Sequence, residues 1–331
     1  MKILKRIIIW LVVLIALLIG VAYLLPANYH VERSLLINGD KDIIYSMVCD
    51  FENWNYWTPW APETDPTLNE EFIGNCEVGA IHRWVDKKMG HVEMMITHLD
   101  PYKKINWELG LKNQSEKMII GMLFESEAGG YVLTWTADGN LGYNPFYRYY
   151  GLMIDTKLGS DYEKGLMRLK EVCEALPDYP GIQVVEVASL PAISITDSVS
   201  ATTYGPFMEE SMGNLYMYAL RNEAQFKGHA YTAYHHWDPP EHIVIEVGIP
   251  LASPIKGEGV IKAVQSPGGK AVRATHWGAY EKIGPAHEAL QQYIDVLDLE
   301  LIGTPWESYI TNPTQEPDTA RWETIVYYPI K

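Results

Sequence analysis

The chain of 331 residues has few cysteines, few cations and none of the usual nucleotide loops. Its 3 cysteines, Cys49, Cys76 and Cys173, are odd in number and show no Cys-x-x-Cys spacing. That excludes a complete disulfide framework and a thiol-rich zinc site. A Cys49–Cys76 bridge fits an oxidising compartment, while buried free thiols are the simpler reading. Lys and Arg number 26 against 42 Asp and Glu, for a net charge of −16. Nucleic-acid binding needs clustered cations on phosphates, so no nucleic-acid partner is expected. No Gly-rich phosphate loop or dinucleotide fingerprint occurs. Glu63, Asp65, Glu70 and Glu71 lack the spacing of a calcium loop. His229, His235, His236 and His242 lie near Asp238 and Glu241, but His235 and His236 would point to opposite faces of a strand. A zinc site wants three or four convergent ligands, so neither a metal nor any other cofactor is expected.

One long apolar run is present. Residues 7–25 carry no charge and approach the roughly 20 residues that span a bilayer. Lys2, Lys5 and Arg6 precede the run, which predicts a cytoplasmic amino terminus and an extracytoplasmic body. A cleaved signal peptide is the alternative, although the run is longer than the usual apolar region and no small-x-small site follows it cleanly before Pro26. The expected order is a tip and membrane helix over 1–27, a domain over 28–176, a linker over 177–181 and a second domain over 182–331. Two prolines and a glycine within Leu176–Gly181 set the linker.

The carboxy-terminal domain reads as a unit written twice. Strand Ala271–Trp277 leads through Gly278-Ala279-Tyr280 into a helix near Glu281–Leu299, with Ile283, Ala286, Leu290, Tyr293, Ile294 and Leu297 at helical spacing. Strands follow at Thr304–Thr311 and Trp322–Pro329. Upstream, the same order appears as strand Ile193–Thr196, a helix near Phe207–Gln225, and strands Tyr231–His236 and Ile243–Pro250. Tyr234 matches Tyr309, and Thr232 stands where the second copy has Glu307. Two such units pair through one antiparallel sheet, with helices on one face and a groove expected on the other. By period two, Glu307 shares a face with Tyr309 and Thr311, not with Trp306 and Ile310. An acid among aromatic rings suits a cationic or hydrogen-bond-donating small molecule. The candidate ligand contacts are Glu307, Tyr309, Trp306, Trp277, Tyr280, Tyr231 and Tyr234. A strand-edge glutamate paired with Lys or Arg is the plainer alternative for Glu307.

Residues 180–331 resemble the GyrI-like domain, which also serves as the effector-binding domain of drug-responsive transcription activators. The segments that carry the likeness are His276-Trp277-Gly278-Ala279-Tyr280, Trp306-Glu307-Ser308-Tyr309-Ile310-Thr311-Asn312-Pro313, Pro317-Asp318, and Glu323-Thr324 leading into Tyr328-Pro329-Ile330. The resemblance implies a duplicated fold, a pocket between its halves and a pocket glutamate at Glu307. Some similar proteins hydrolyse reactive small molecules with that glutamate. No helix-turn-helix region precedes the domain here.

Residues 28–176 show a strand at Tyr29–Asn38, a helix over Asp40–Cys49 capped by Asp40, and a short aromatic turn over Phe51–Trp60. Strands follow near 68–73, 80–86, 91–99, 103–110, 116–126 and 130–138, then a long helix near Phe146–Ala175. This order, with Phe51-x-x-Trp54-x-x-Trp57-x-Pro59-Trp60 and Gly74-x-x-x-x-Gly79, resembles the SRPBCC superfamily, also called START-like or polyketide-cyclase-like. The resemblance implies a helix-grip fold, a curved antiparallel sheet around a long helix, with a cavity for a hydrophobic ligand and no universal catalytic residue. Tyr143–Tyr150 would be a cavity lid or ordinary packing beneath the long helix.

The fold class expected is therefore α+β throughout. Three functional classes stay open: a membrane-tethered small-molecule binder using Glu307, a hydrolase with Glu307 as general base, and an interaction protein that docks a peptide or lipid. The first is preferred. The sequence leaves the ligand and the oligomeric state undefined.

Overall fold

A computed structural model describes residues 2–60, 69–86, 90–111, 117–236 and 242–331. The chain divides into two units, Met1–Ala175 and Leu176–Lys331, each α+β with its own antiparallel sheet.

The first unit opens with α1 (Lys2–Leu24), whose stretch Ile3–Leu24 is long and apolar enough to cross a bilayer. Then come β1 (Asn28–Asn38) and α2 (Lys41–Cys49). Asp40 caps α2 as expected, its Oδ1 accepting the N–H groups of Asp42 and Ile43. The aromatic turn forms a 3₁₀ helix at Phe51–Tyr56. Strands β2 (Asn69–Ile73), β3 (Ile81–Asp86), β4 (Gly90–Asp100), β5 (Lys104–Leu111), β6 (Met118–Glu127) and β7 (Gly130–Asn140) precede α3 (Pro145–Ala175). The sheet order is β1-β7-β6-β5-β4-β3-β2, so the chain returns to place its first strand beside its last.

Helix α3 packs on β1, and two helical glycines allow the close approach. A Cβ at Gly159 would strike the Arg33 guanidinium, and one at Gly165 would lie 2.7 Å from Trp135 Cζ3. Arg33 joins sheet to helix through Glu163 at 2.6 Å and Asp155 at 2.9 Å. Inside, Trp54, Trp57, Trp107, Trp135 and Tyr162 are buried, with the Trp135 and Tyr162 rings stacked at 4.0 Å. The indole N–H groups of Trp107 and Trp135 and the Tyr162 hydroxyl lack partners among the described residues.

Two readings from the sequence change here. Cys49 and Cys76 are bridged, with Cα atoms 5.1 Å apart, and only Cys173 is a buried free thiol among the described residues. Packing α2 against the turn after β2 brings the two sulfurs together, which spacing alone does not reveal. Residues 145–150 are the first turns of the long helix itself and do not sit beneath it. Tyr143 and Phe146 are exposed, and the segment runs into the first turns of α3 beside α1.

The second unit contains β8 (Gln183–Val187), β9 (Pro191–Val199), α4 (Tyr204–Arg221), β10 (Tyr231–His236), β11 (Ile243–Pro250), β12 (Lys262–Gln265), β13 (Gly269–Trp277), α5 (Gly284–Leu297), β14 (Trp306–Tyr309) and β15 (Glu323–Pro329). The sheet order is β12-β9-β11-β10-β14-β15-β13-β8. This order is symmetric about the β10/β14 seam: β9-β11-β10 on one side mirrors β13-β15-β14 on the other. Thr232 pairs directly with Glu307 across the seam. Equivalent positions of two copies can face each other only where a pseudo-twofold axis passes between them. Strands β8 and β12, not foreseen from the sequence, extend the two edges. Residues of the expected linker pack on this unit, since the Thr275 N–H donates to the Pro180 carbonyl at 2.9 Å.

Candidate functional site

Cross-strand pairing puts Ala274, Val326, Glu307, Thr232, Val247 and Ile195 in one row on one face. Direct partners in an antiparallel sheet share a face. Val247 and Ile195 belong to the core that α4 covers, and α5 packs on β13 and β15. Glu307 therefore lies on the helix-covered face. The groove expected on the opposite face is not where the acid points. Strand β14 is central in the sheet, so the edge-glutamate alternative is also wrong.

Glu307 is 4% exposed. Its Oε1 lies 3.0 Å from His287 Nε2, and its Oε2 accepts the Tyr309 hydroxyl at 2.9 Å. The Tyr309 hydroxyl is also 3.0 Å from Thr232 Oγ1. His287 Nδ1 meets the Tyr328 hydroxyl at 3.1 Å. A neutral imidazole carrying its proton on Nε2 satisfies every contact, donating to the carboxylate and accepting from Tyr328.

Tyrosines enclose the pair. The Tyr204 and Tyr234 hydroxyls are 2.7 Å apart, and the Tyr234 ring meets His287 edge-on at 6.1 Å. Tyr280 packs against Tyr309 at 5.3 Å and against Trp322 at 4.8 Å. Burial, with the Glu307 charge adding to it, raises the phenol pKa of Tyr204, Tyr309, Tyr280 and Tyr328. The same causes, together with neighbouring phenols, raise that of Tyr234. These hydroxyls stay protonated and remain donors. Tyr204, Tyr234, Tyr280, Tyr309, Trp322 and Tyr328 are half-buried, so the rings stand between the acid and solvent.

Of the candidate contacts, Glu307, Tyr309, Tyr280 and Tyr234 converge. Trp306, Tyr231 and Trp277 do not, because the strand pleat sends them to the other face. Trp306 stacks on Tyr327 at 4.8 Å, and the Tyr231 hydroxyl donates to Glu246 at 2.7 Å. Trp277 pairs with Glu323 at the end of β13 and is 55% exposed. His287, Tyr204, Tyr328 and Trp322 join the site without having been singled out, as does Thr232, noted from the sequence only as the counterpart of Glu307. A signal for His287 existed, since it lies between Ala286 and Leu290 on the apolar stripe of α5. The other signal is the repeat itself. Gly205-Pro206-Phe207-Met208 and Gly284-Pro285-Ala286-His287 open the two helices in parallel, making Met208 the counterpart of His287. The first copy then pairs Met208 Sδ with Thr232 Oγ1 at 3.0 Å, where the second pairs His287 with Glu307.

Among the described residues, no group of three or more His, Cys, Asp or Glu is placed to hold a metal ion. His235 is engaged by Glu246 at 3.1 Å and Thr304 at 3.2 Å, while Asp238 and Glu241 lie outside the described residues, as do Glu63 and Asp65.

No protein-family model and no curated protein matches the chain. Among solved structures, the carboxy-terminal domain of EcmrR is similar at 23% identity, covering 45% of this chain and 96% of that one, with a TM-score of 0.42. EcmrR in complex with DNA is similar at 18% identity over 56% of this chain and 72% of that one, with a TM-score of 0.45. A hydrolase from Listeria innocua is similar at 11% identity over 46% and 93%, with a TM-score of 0.36.

Proposed function

We propose that the second unit is a small-molecule-binding module of the GyrI-like, effector-binding kind. Its ligand is an aromatic or cationic amphiphile whose positive or hydrogen-bond-donating group is held by Glu307. The carrying observation is the burial of Glu307 on a central strand, with hydrogen-bond partners on both oxygens and half-buried aromatic rings around it. A buried carboxylate without a full counter-charge favours a cation that replaces water, and the rings add apolar area and cation–π attraction. The module is tethered to a membrane by α1, with the amino terminus cytoplasmic and the body extracytoplasmic, as Lys2, Lys5 and Arg6 before the apolar run support. In the first unit, which we read as SRPBCC-like, the polar atoms of Trp107, Trp135 and Tyr162 that lack partners among the described residues support a second ligand position, for a hydrophobic molecule bearing a hydrogen-bond acceptor.

Calorimetry with a hydrophobic quaternary ammonium or guanidinium compound tests the reading. Glu307→Gln keeps the shape and removes the charge, so affinity should fall by about 1–3 kcal/mol, as for a charge-assisted contact. Equal affinity in the variant would sink the proposal. The His287–Glu307 contact favours one further reading, a hydrolase in which Glu307 takes a proton from water while His287 orients it. Turnover of an ester or epoxide panel that vanishes in Glu307→Gln would select that reading.

A further inference from the structure

The start of α3 carries an apolar surface that no described part of the protein covers. Phe146 is 80% exposed and Leu152 64%, and Tyr143, Tyr147, Tyr150 and Met153 are exposed as well. Soluble surfaces seldom gather so much apolar area in one place. From Tyr143 to Ile154 the single charged residue is Arg148.

Polar contacts fix this segment against α1. The Tyr149 hydroxyl donates to the Leu18 carbonyl at 2.7 Å. Arg148 Nη1 donates to the Leu25 carbonyl at 2.7 Å, and its Nε to the Gly142 carbonyl at 2.8 Å. Ala22 of α1 is fully buried. Leu18 precedes the end of α1 by roughly 9 Å at 1.5 Å per residue. With α1 across a bilayer, the first turns of α3 are thus held below the level at which α1 leaves the hydrocarbon.

We propose that Tyr143–Met153 is a second membrane contact of this chain, embedded in the outer leaflet beside α1. The occupant of the apolar surface is lipid. The proposal rests on α1 being a membrane anchor. The chemistry of the segment fits that position. Tyrosine and phenylalanine supply apolar bodies, with phenol groups suited to the headgroup level. Arg148 directs its guanidinium to the Leu25 carbonyl at the end of α1, where the helix dipole is negative. The next charged residue, Asp155, is bound to Arg33 of β1, which marks the polar boundary. The apolar surface also continues onto the exposed Tyr23 and Leu24 of α1.

The test uses the full chain in phosphatidylcholine vesicles, with nitroxide labels placed one at a time through Tyr147→Cys, Leu152→Cys, Leu14→Cys and Met167→Cys. Collision rates with oxygen, which concentrates in lipid, are compared with those of a water-soluble nickel chelate. At 147 and 152 oxygen should prevail several-fold, as at 14, while nickel should prevail at 167, an exposed position farther along α3. Nickel prevailing at 147 and 152 overturns the proposal. A lipid pattern at 14 in the same sample would leave the anchor standing, and an aqueous pattern there would remove both. Low access to both reagents with dipolar broadening between labels would assign the surface to a second copy of the chain and also overturn it.

Discussion

In each unit a glutamate meets a histidine with one member of the pair buried, His82 in the first and Glu307 in the second, and the two pairs behave differently. In the first unit Glu70 Oε1 lies 2.9 Å from His82 Nε2, and in the second Glu307 Oε1 lies 3.0 Å from His287 Nε2. His82 is sandwiched by rings: Phe72 stacks on it at 4.7 Å, Trp84 lies at 4.6 Å and Phe51 at 5.6 Å. Its Nδ1 has no partner among the described residues. Burial pushes the His82 pKa down to about 4 and raises that of Glu70, so burial disfavours the charged form of each. His287 instead finds a hydroxyl for its second nitrogen, and Glu307 finds one for its second oxygen. In the second unit hydroxyls complete the hydrogen bonding of both partners, where His82 lacks a partner among the described residues. The first pair is a packing feature of its sheet.

The largest test of this contrast is Thr232→Glu. It sets a second buried acid directly opposite Glu307, and an uncompensated buried charge costs about 3–5 kcal/mol. Denaturant unfolding should show that loss in the second unit alone. Little or no loss would mean that the two acids share a proton and that the site tolerates them.

The next effect concerns pH. The folded-state pKa of His82 lies below its unfolded value, so the unfolded chain takes up a proton that the folded one refuses. Stability from neutral His82 is complete above the unfolded pKa and is lost as pH falls toward about 4. Between pH 7 and 5 the loss is about 2 kcal/mol, on an unfolded pKa of about 6.5. The raised pKa of Glu70 acts in the opposite sense at lower pH and trims the loss. His82→Phe should remove this slope from first-unit unfolding, and an unchanged slope would place the titration elsewhere.

The smallest effect is that of Tyr328→Phe, which removes the hydroxyl at His287 Nδ1. About 1 kcal/mol of second-unit stability should go with that hydrogen bond. Ligand affinity at Glu307 should fall less than in Glu307→Gln. A larger fall would make His287, rather than the acid, the principal contact.

Much of this architecture was legible in local sequence. The strands of both units other than β8 and β12 follow from alternating patterns and turn residues, and Asp40 caps α2 because a carboxylate there meets free N–H groups. Period two correctly joined Glu307 to Tyr309 and separated both from Trp306. Trp306, Tyr231 and Trp277 were nevertheless grouped with the acid on aromatic character, which carries no direction. His287 was passed over because a histidine on an apolar stripe looks like a filler of the core. The Cys49–Cys76 bridge depends on a long-range approach that spacing does not encode.

The chain's own order of residues determined the duplicated β-α-β-β unit, the acid in only one copy and the apolar run before the first strand. These are periodicities and identities, and they act over a few residues. Tertiary structure decided which face of the sheet the acid looks into, which side chains meet it from α5 and β15, and that the start of α3 lies along α1. Each of these depends on how separately formed elements pack, and packing is settled by surfaces that lie far apart in the chain.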